Sequence, residues 1–279
     1  MYAKISKAHI QKIALVTTNC KKTVAQVKAE TGAQYVLNGS LYSFVTCKPL
    51  CKFRADGKTY ADDGYGYWMY AFDRGPDIKM IHSDDMEKYA NGIACIAMMK
   101  DGKNTSLIYN KDVGGARPRS AIGLTAAGDL VLFCTKTNTT IERTREIMRG
   151  YNCVSCICLD GGGSSSGDFN GQKVTTTRKV ANYICVWTSG AAQKPVSPAP
   201  AACPYPIPTA TLRRGNTGNT VRWVQWHLAK TVVPTIKADG IFGAGTQQAV
   251  KKFQAKYGLA ADGIVGRATR EKMQEVCHG

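Results

Sequence analysis

The chain has 279 residues, of which 44% are hydrophobic and 20% charged, so it is long enough for one large domain, or a medium one beside a small one. No apolar stretch approaches the roughly 20 residues needed to cross a bilayer. With 37 Lys and Arg against 20 Asp and Glu, the formal charge is +17, which favours polyanionic partners: nucleic acid, teichoic acid or an anionic cell wall. The basic residues are scattered rather than gathered in a dense arm, which places nucleic acid second.

In chain order, Ile13–Thr17 reads as a first strand. The apolar run Ile13-Ala14-Leu15-Val16 is too short for a signal-peptide core, so no signal peptide is expected. Thr23 predicts an N-cap, Gln26 completes a capping box, and Gly32 ends the helix between them. Gln34–Leu37 predicts a strand running into Asn38-Gly39-Ser40. Asp56, Asp62 and Asp63 lie in a Gly/Tyr-rich loop; they are second carboxylates of a site or, better, ordinary turn residues. Ala121–Leu124 and Leu130–Thr135 flank Ala126-Ala127-Gly128-Asp129, a hairpin signal. Thr139-Thr140-Ile141-Glu142 reads as a second capping box opening a helix through Met148, which makes Glu142 a structural cap. Ser155–Leu159 predicts a strand that delivers Asp160, and Ala181–Trp187 a closing strand.

Eleven cysteines is a high and odd number. Without a signal peptide, reduced buried thiols are expected. Cys153 and Cys156 have zinc or redox spacing, but no second such pair accompanies them. The alternation Cys156, Cys158 fits one strand face, hence core. Cys203 and Cys277 bracket the C-terminal segment and would close a bridge only under oxidising conditions. His9, His82, His227 and His278 show no metal-ligand spacing.

Composition changes at Gly190. Residues 191–208 form a Pro/Ala-rich linker between segments 1–190 and 209–279. The second segment carries an echo: Asp239-Gly240-Ile241-Phe242-Gly243 recurs 23 residues later as Asp262-Gly263-Ile264-Val265-Gly266. Thr246 and Thr269 then open helices, and Val221, Val224, Gln225 and Leu228 follow helical spacing. Trp223 and Trp226 are read as core before ligand platform. These features, with Leu212-Arg213-Arg214-Gly215-Asn216-Thr217-Gly218 and Ala249-Val250-Lys251-Lys252-Phe253-Gln254, resemble the three-helix peptidoglycan-binding domain of cell-wall hydrolases. The resemblance spans about 209–274 and implies wall attachment, not chemistry. Eleven Lys/Arg against four Asp/Glu between Cys203 and Gly279 suit an anionic wall.

The most informative run is Cys158-Leu159-Asp160-Gly161-Gly162-Gly163-Ser164-Ser165-Ser166. Glycine triplets occur where backbone must approach something closely, and a carboxylate beside free amides suits a polar or anionic ligand; a serine-capped turn is the bland alternative. With Gly32–Gly39, Arg119-Ser120-Ala121-Ile122-Gly123 and Arg178–Asn182, this run resembles the phosphodiester glycosidase family, over most of residues 10–188. One departure is Asn38-Gly39-Ser40 where the family usually has Asn-Gly-Gly before two aromatics.

The resemblance implies hydrolysis of a sugar 1-phosphodiester. That reaction needs phosphate neutralisation, an activated nucleophile and stabilisation of an oxocarbenium-like centre. Asp160 is the candidate base, nucleophile or oxocarbenium stabiliser. Arg119 and Arg178 can grip phosphate bidentately, with a buried structural pair and solvated surface as their respective alternatives. Arg117 shares the strand face of Arg119 and ranks below it. Asn38 suits a sugar hydroxyl or acetamido group, and Gly161, Gly162, Gly163, Ser164 and Ser165 offer donors. No cofactor is required; a divalent cation at Asp160 stays open.

The expected fold class is α+β, a mixed catalytic domain followed by a small all-α three-helix domain. The expected function is a wall-targeted hydrolase of sugar-1-phosphodiester linkages such as those of teichoic acid, from a phage or prophage, cytoplasmic until lysis, virion delivery or holin-type export. The alternatives are a non-catalytic wall-glycan binder and a hydrolase or sequestering protein for soluble sugar-nucleotide phosphodiesters.

Overall fold

The computed structural model describes residues 1–64, 67–109, 113–189, 203 and 205–278. Contacts divide the chain into Met1–Pro198 and Ala199–Gly279; most of the expected linker lies outside the described residues. The first unit begins β1 (Tyr2–Ile5), β2 (Ile10–Thr17), α1 (Val24–Thr31) and β3 (Tyr35–Asn38). There follow β4 (Phe53–Ala55), β5 (Lys58–Ala61), β6 (Trp68–Phe72), β7 (Lys79–His82), β8 (Asn91–Ala94), β9 (Ile96–Lys100) and β10 (Lys103–Asn104). It ends with β11 (Arg117–Thr125), β12 (Leu130–Thr139), α2 (Ile141–Gly150), β13 (Cys153–Cys158), β14 (Gly167–Phe169), β15 (Gln172–Val174) and β16 (Asn182–Thr188). No described helix is long and apolar enough to cross a membrane.

Three antiparallel sheets result, with orders β1-β12-β11-β13-β9-β10, β15-β14-β3-β16-β2 and β5-β4-β8-β6-β7. One core joins all three, through Ile13 and Leu37, Phe53 and Tyr70, and Ile122 and Ile157. A second cluster packs Val24 and Val27 of α1 on Val36, Tyr183 and Cys185. Thr23 and Gln26 form the expected capping box, and Gly32 closes α1 in the left-handed region at φ 66°. The hairpin β11–β12 pairs Leu124 with Leu130 across the expected turn.

Three local expectations are corrected. The cap of α2 is Thr140, whose hydroxyl accepts from the Arg143 amide; the helix starts one residue later than a box on Thr139 requires, and Glu142 instead accepts from the Tyr109 hydroxyl. The thiols are not all reduced. Left-handed turns at Cys20 and Cys47 (φ 55° and 56°) bring their Cα atoms to 5.8 Å, and the two form a disulfide. The side chain of Cys277 lies outside the described set, so its pairing with Cys203 does too. Cys153, Cys156 and Cys158 are buried in β13 as expected; burial pushes the Cys153 and Cys158 thiols up to about 12, which leaves them inert as nucleophiles.

In the second unit, α3 (Asn219–Thr231), α4 (Ala244–Lys256) and α5 (Arg267–His278) surround Trp223, Val224, Leu228, Phe242, Val250 and Phe253. The helices α4 and α5 begin two residues before Thr246 and Thr269, so these threonines are not caps. They are buried first-turn residues of a repeated latch. The Gln225 amide donates to Asp239 Oδ1, the Ile241 carbonyl and Thr246 Oγ1, and accepts from the Gly240 amide. Gln254 repeats this with Asp262, Ile264, Thr269 and Gly263. The sequence echo is thus one structural device used twice.

Candidate functional site

The end of β13 is held by strands on either side. The Leu159 amide donates to the Ser120 carbonyl at 2.8 Å and the Asp160 amide to the Gly39 carbonyl at 3.0 Å. The chain then turns through a 3-10 segment, Gly162–Ser164, with Gly162 at φ 60°. Side chains at this loop would collide with their surroundings. A Cβ at Gly161 would lie 2.9 Å from the Pro118 carbonyl oxygen, and one at Gly39 only 1.8 Å from Asn182 Oδ1.

Asp160 is buried, 8% exposed. Its Oδ1 accepts from the Gly161 amide at 2.9 Å, while Oδ2 has no protein partner at hydrogen-bond geometry, and neither do the buried Ser164 and Ser165 hydroxyls. Burial pushes the carboxyl up to about 6; the nearby Ser164 hydroxyl, the Gly161 amide and the Arg178 and Arg117 guanidiniums pull the other way. A carboxyl in that range can change protonation near neutral pH. Three unsatisfied buried polar atoms on one loop form a place for a polar ligand, because leaving such groups unpaired costs about 1–3 kcal/mol each.

Arg178 reaches this loop from the segment before β16. Thr176 donates its hydroxyl to the Gly163 carbonyl at 2.9 Å and accepts from the Arg178 amide at 3.1 Å. The guanidinium then lies against Gly163 and over the Phe44 ring, 4.9 Å from its centroid. Phe44 meets Tyr42 edge to face at 5.2 Å, and the Tyr42 hydroxyl stands beside Ser164 and donates to the Lys179 carbonyl at 3.4 Å. Arg117 lies along the other flank, its Cδ 3.6 Å from a Cβ built at Gly161.

Two expected site residues are otherwise engaged. Arg119 is fully buried, and its Nε, Nη1 and Nη2 donate to the carbonyls of Thr139, Val113 and Gly115 at 3.0, 3.1 and 2.6 Å. It pairs with backbone rather than with Asp160. Asn38 donates from Nδ2 to the Asp160 carbonyl at 2.9 Å and accepts at Oδ1 from Ser120 Oγ and the Ser166 amide at 2.6 and 3.1 Å. Asn38 therefore fixes the backbone that carries the carboxylate. Among loop amides, those of Ser164 and Ser165 close the turn onto Gly161 and Gly162, so donors toward a ligand reduce to Gly162 and Gly163. Ser40, the departure noted in the sequence, is buried and bonded to Asn182. Asp56 is at the surface, paired with Arg74.

Sequence reasoning missed Tyr42 and Phe44 as neighbours of Arg178. The available signal was two aromatics close after Asn38-Gly39; the turn at 44–46 then sets Phe44 edge to face with Tyr42. Among described residues no cluster of three or more His, Cys, Asp or Glu could share a metal ion.

The family model for phosphodiester glycosidases matches residues 31–187, more than half the chain and every residue just described. The chain belongs to the phosphodiester glycosidase family. A model described as a putative peptidoglycan-binding domain matches residues 217–273. In fold the chain is similar to the zebrafish N-acetylglucosamine-1-phosphodiester alpha-N-acetylglucosaminidase catalytic domain, auto-inhibited by its pro-peptide, with a TM-score of 0.53 and 17% identity over 63% of this chain and 73% of that one. A hypothetical protein from Synechocystis gives 0.51 and 13%, over 67% and 59%. The zinc D-Ala-D-Ala carboxypeptidase of Streptomyces albus G is 41% identical over 70 residues, 24% of this chain and 28% of that protein. The spore cortex-lytic enzyme of Bacillus cereus is 39% identical over 62 residues, 22% and 24%. The chain thus spans about a quarter of the length of these curated relatives.

Proposed function

We propose that this protein is a wall-targeted hydrolase that cleaves a sugar-1-phosphodiester linkage, of the N-acetylglucosamine-phosphate type, in a bacterial wall glycopolymer such as teichoic acid. The observation that carries this reading is the buried Asp160 Oδ2 clustered with the Ser164 and Ser165 hydroxyls, none of them in a hydrogen bond of full geometry, flanked by the guanidiniums of Arg178 and Arg117. Guanidiniums bind phosphate oxygens in a planar fork. Once its charge is neutralised, phosphate leaves readily, so the anomeric carbon–oxygen bond can break without a strong general acid. Asp160 as carboxylate stabilises the cationic sugar, attacks it, or takes a proton from the incoming water. Phosphate gripping passes from Arg119, whose donors are held by carbonyls, to Arg178 and Arg117.

The peptidoglycan-binding domain would hold the enzyme at its polymer. The basic charge and this domain pairing fit a phage or prophage product of a Gram-positive host, reaching the wall by lysis, on a virion or by holin-type export. The test is hydrolysis of UDP-N-acetylglucosamine and of purified teichoic acid by wild type and Asp160→Asn. Sugar release by wild type alone supports the reading. No release from either substrate, with wall pull-down intact, favours a non-catalytic wall binder; release from the nucleotide sugar only favours a hydrolase of soluble phosphodiesters.

A further inference from the structure

A pocket of about 580 Å³ opens on the first unit away from the residues just described; its lining runs from Lys52 through Tyr67, Trp68, His82 and Asp84 to Ser106, and includes neither Asp160, Ser164 nor Arg178. The size falls within the roughly 300–1,000 Å³ of small-ligand sites. Its chemistry is that of a sugar site with room for a phosphate. Tyr67 is 64% exposed at the rim. Behind it the Trp68 and His82 rings meet at right angles, 5.4 Å apart, with Tyr67 6.1 Å from His82. Such rings offer flat faces to the C–H face of a pyranose. Beside them the Asp84 carboxylate lies 3.3 Å from Lys52 Nζ and 3.1 Å from His82 Nδ1, and Lys100 stands 4.6 Å over the Trp68 ring. A carboxylate accepts from sugar hydroxyls, and Lys52 in the lining complements an anionic group.

Cysteines link the pocket wall to the surroundings of the catalytic candidate. Its wall includes Cys95, whose thiol meets that of Cys51. Both Cys51 and Cys158 lie within electrostatic reach of Asp160.

We propose that this pocket is a second carbohydrate subsite, binding a further phosphorylated sugar unit of a polymeric substrate. Carbohydrate binding there stands on the pocket alone; its service to the substrate rests on the hydrolase reading. The test titrates full-length Asp160→Asn, and the same chain with Tyr67→Ala added, with soluble teichoic-acid oligomers freed of peptidoglycan. Tyr67 is exposed, so its removal leaves the fold intact, and a thermal melt checks this. The expected result is a Kd raised at least fivefold by Tyr67→Ala, and, in the Asp160 background, a kcat/KM ratio of polymer to UDP-N-acetylglucosamine lowered at least fivefold. Equal Kd values overturn the proposal. So does an equal loss on polymer and nucleotide sugar, which would merge the pocket with the catalytic centre. If wild type hydrolyses neither substrate while Tyr67→Ala still weakens oligomer binding, the carbohydrate subsite stands and the hydrolase reading falls.

Discussion

The guanidinium of Arg178 lies against the bare backbone of Gly163: a methyl group built there would stand 2.9 Å from its Cζ and Nη2. The obstructing atoms are the far end of a flexible side chain, so Gly163→Ala displaces the guanidinium and leaves the fold in place. We expect KM for a sugar phosphodiester to rise about tenfold, on the order of 1.4 kcal/mol, with the urea midpoint unchanged. Gly39→Ala is the contrast. There a Cβ meets Asn182 Oδ1 at 1.8 Å and the Asn182 carbonyl oxygen at 3.1 Å, and the urea midpoint should fall.

The Asp160 carboxyl, pushed up from 3.8 to about 6, links activity and stability to pH in opposite directions. As a carboxylate in catalysis it requires kcat/KM to rise with pH through about 6. Between 3.8 and about 6 the folded protein holds this proton more tightly than the unfolded chain, so its contribution to stability falls as pH rises through that window, by about 3 kcal/mol in total. Asp160→Asn should therefore abolish sugar release yet stabilise the protein at pH 7 by roughly 1–3 kcal/mol. A descending activity limb near pH 6 would instead make Asp160 the acid.

Arg119 and Arg178 should separate cleanly. Arg119→Lys removes a fork that serves three backbone carbonyls and should cost about 3–5 kcal/mol in denaturant unfolding. Arg178→Ala should lower kcat/KM about a hundredfold and move stability by less than about 1 kcal/mol.

The segment bearing Tyr42 and Phe44 ends at Cys47, which is bonded to Cys20 beyond β2. Cys20→Ser with Cys47→Ser should loosen the Phe44 ring beneath Arg178. The measurement is KM against kcat: KM should rise several-fold while kcat holds within about twofold.

The two glutamine latches predict equivalent failures in the second unit. Gln254→Ala strands the Gly263 amide and removes one bond each from Asp262, the Ile264 carbonyl and Thr269, at about 2–3 kcal/mol. Wall pull-down should then fail at a lower temperature than for wild type, and Gln225→Ala should match it.

What could be read from the sequence follows the range of the forces involved. Thr23, Gln26 and Gly32 act within one helix, and the Asp-Gly-Ile repeat within one turn, so both were legible. The third sheet was not, because strands such as Lys58–Ala61 are short and only partly buried and so carry no clear alternation. At the site, the Asp160 loop announces itself by composition. The roles of Arg119 and Asn38 could not be read, since both are set by carbonyls and hydroxyls brought together by the fold; Asn38 and Asp160 are 122 residues apart. The Cys20–Cys47 bond likewise needs two turns to meet.

That long-range tie has a consequence for how the site comes into being. The Asp160 carbonyl, the Ser120 hydroxyl and the Ser166 amide converge on one amide side chain at the end of β3, drawing on strands from two different sheets. No half-folded form can present the carboxylate in its place, so a fragment lacking β3 or β11 would keep the Asp-Gly-Gly-Gly motif and have no working centre. Sugar release by this chain would accordingly double as a report that its N-terminal sheets have closed.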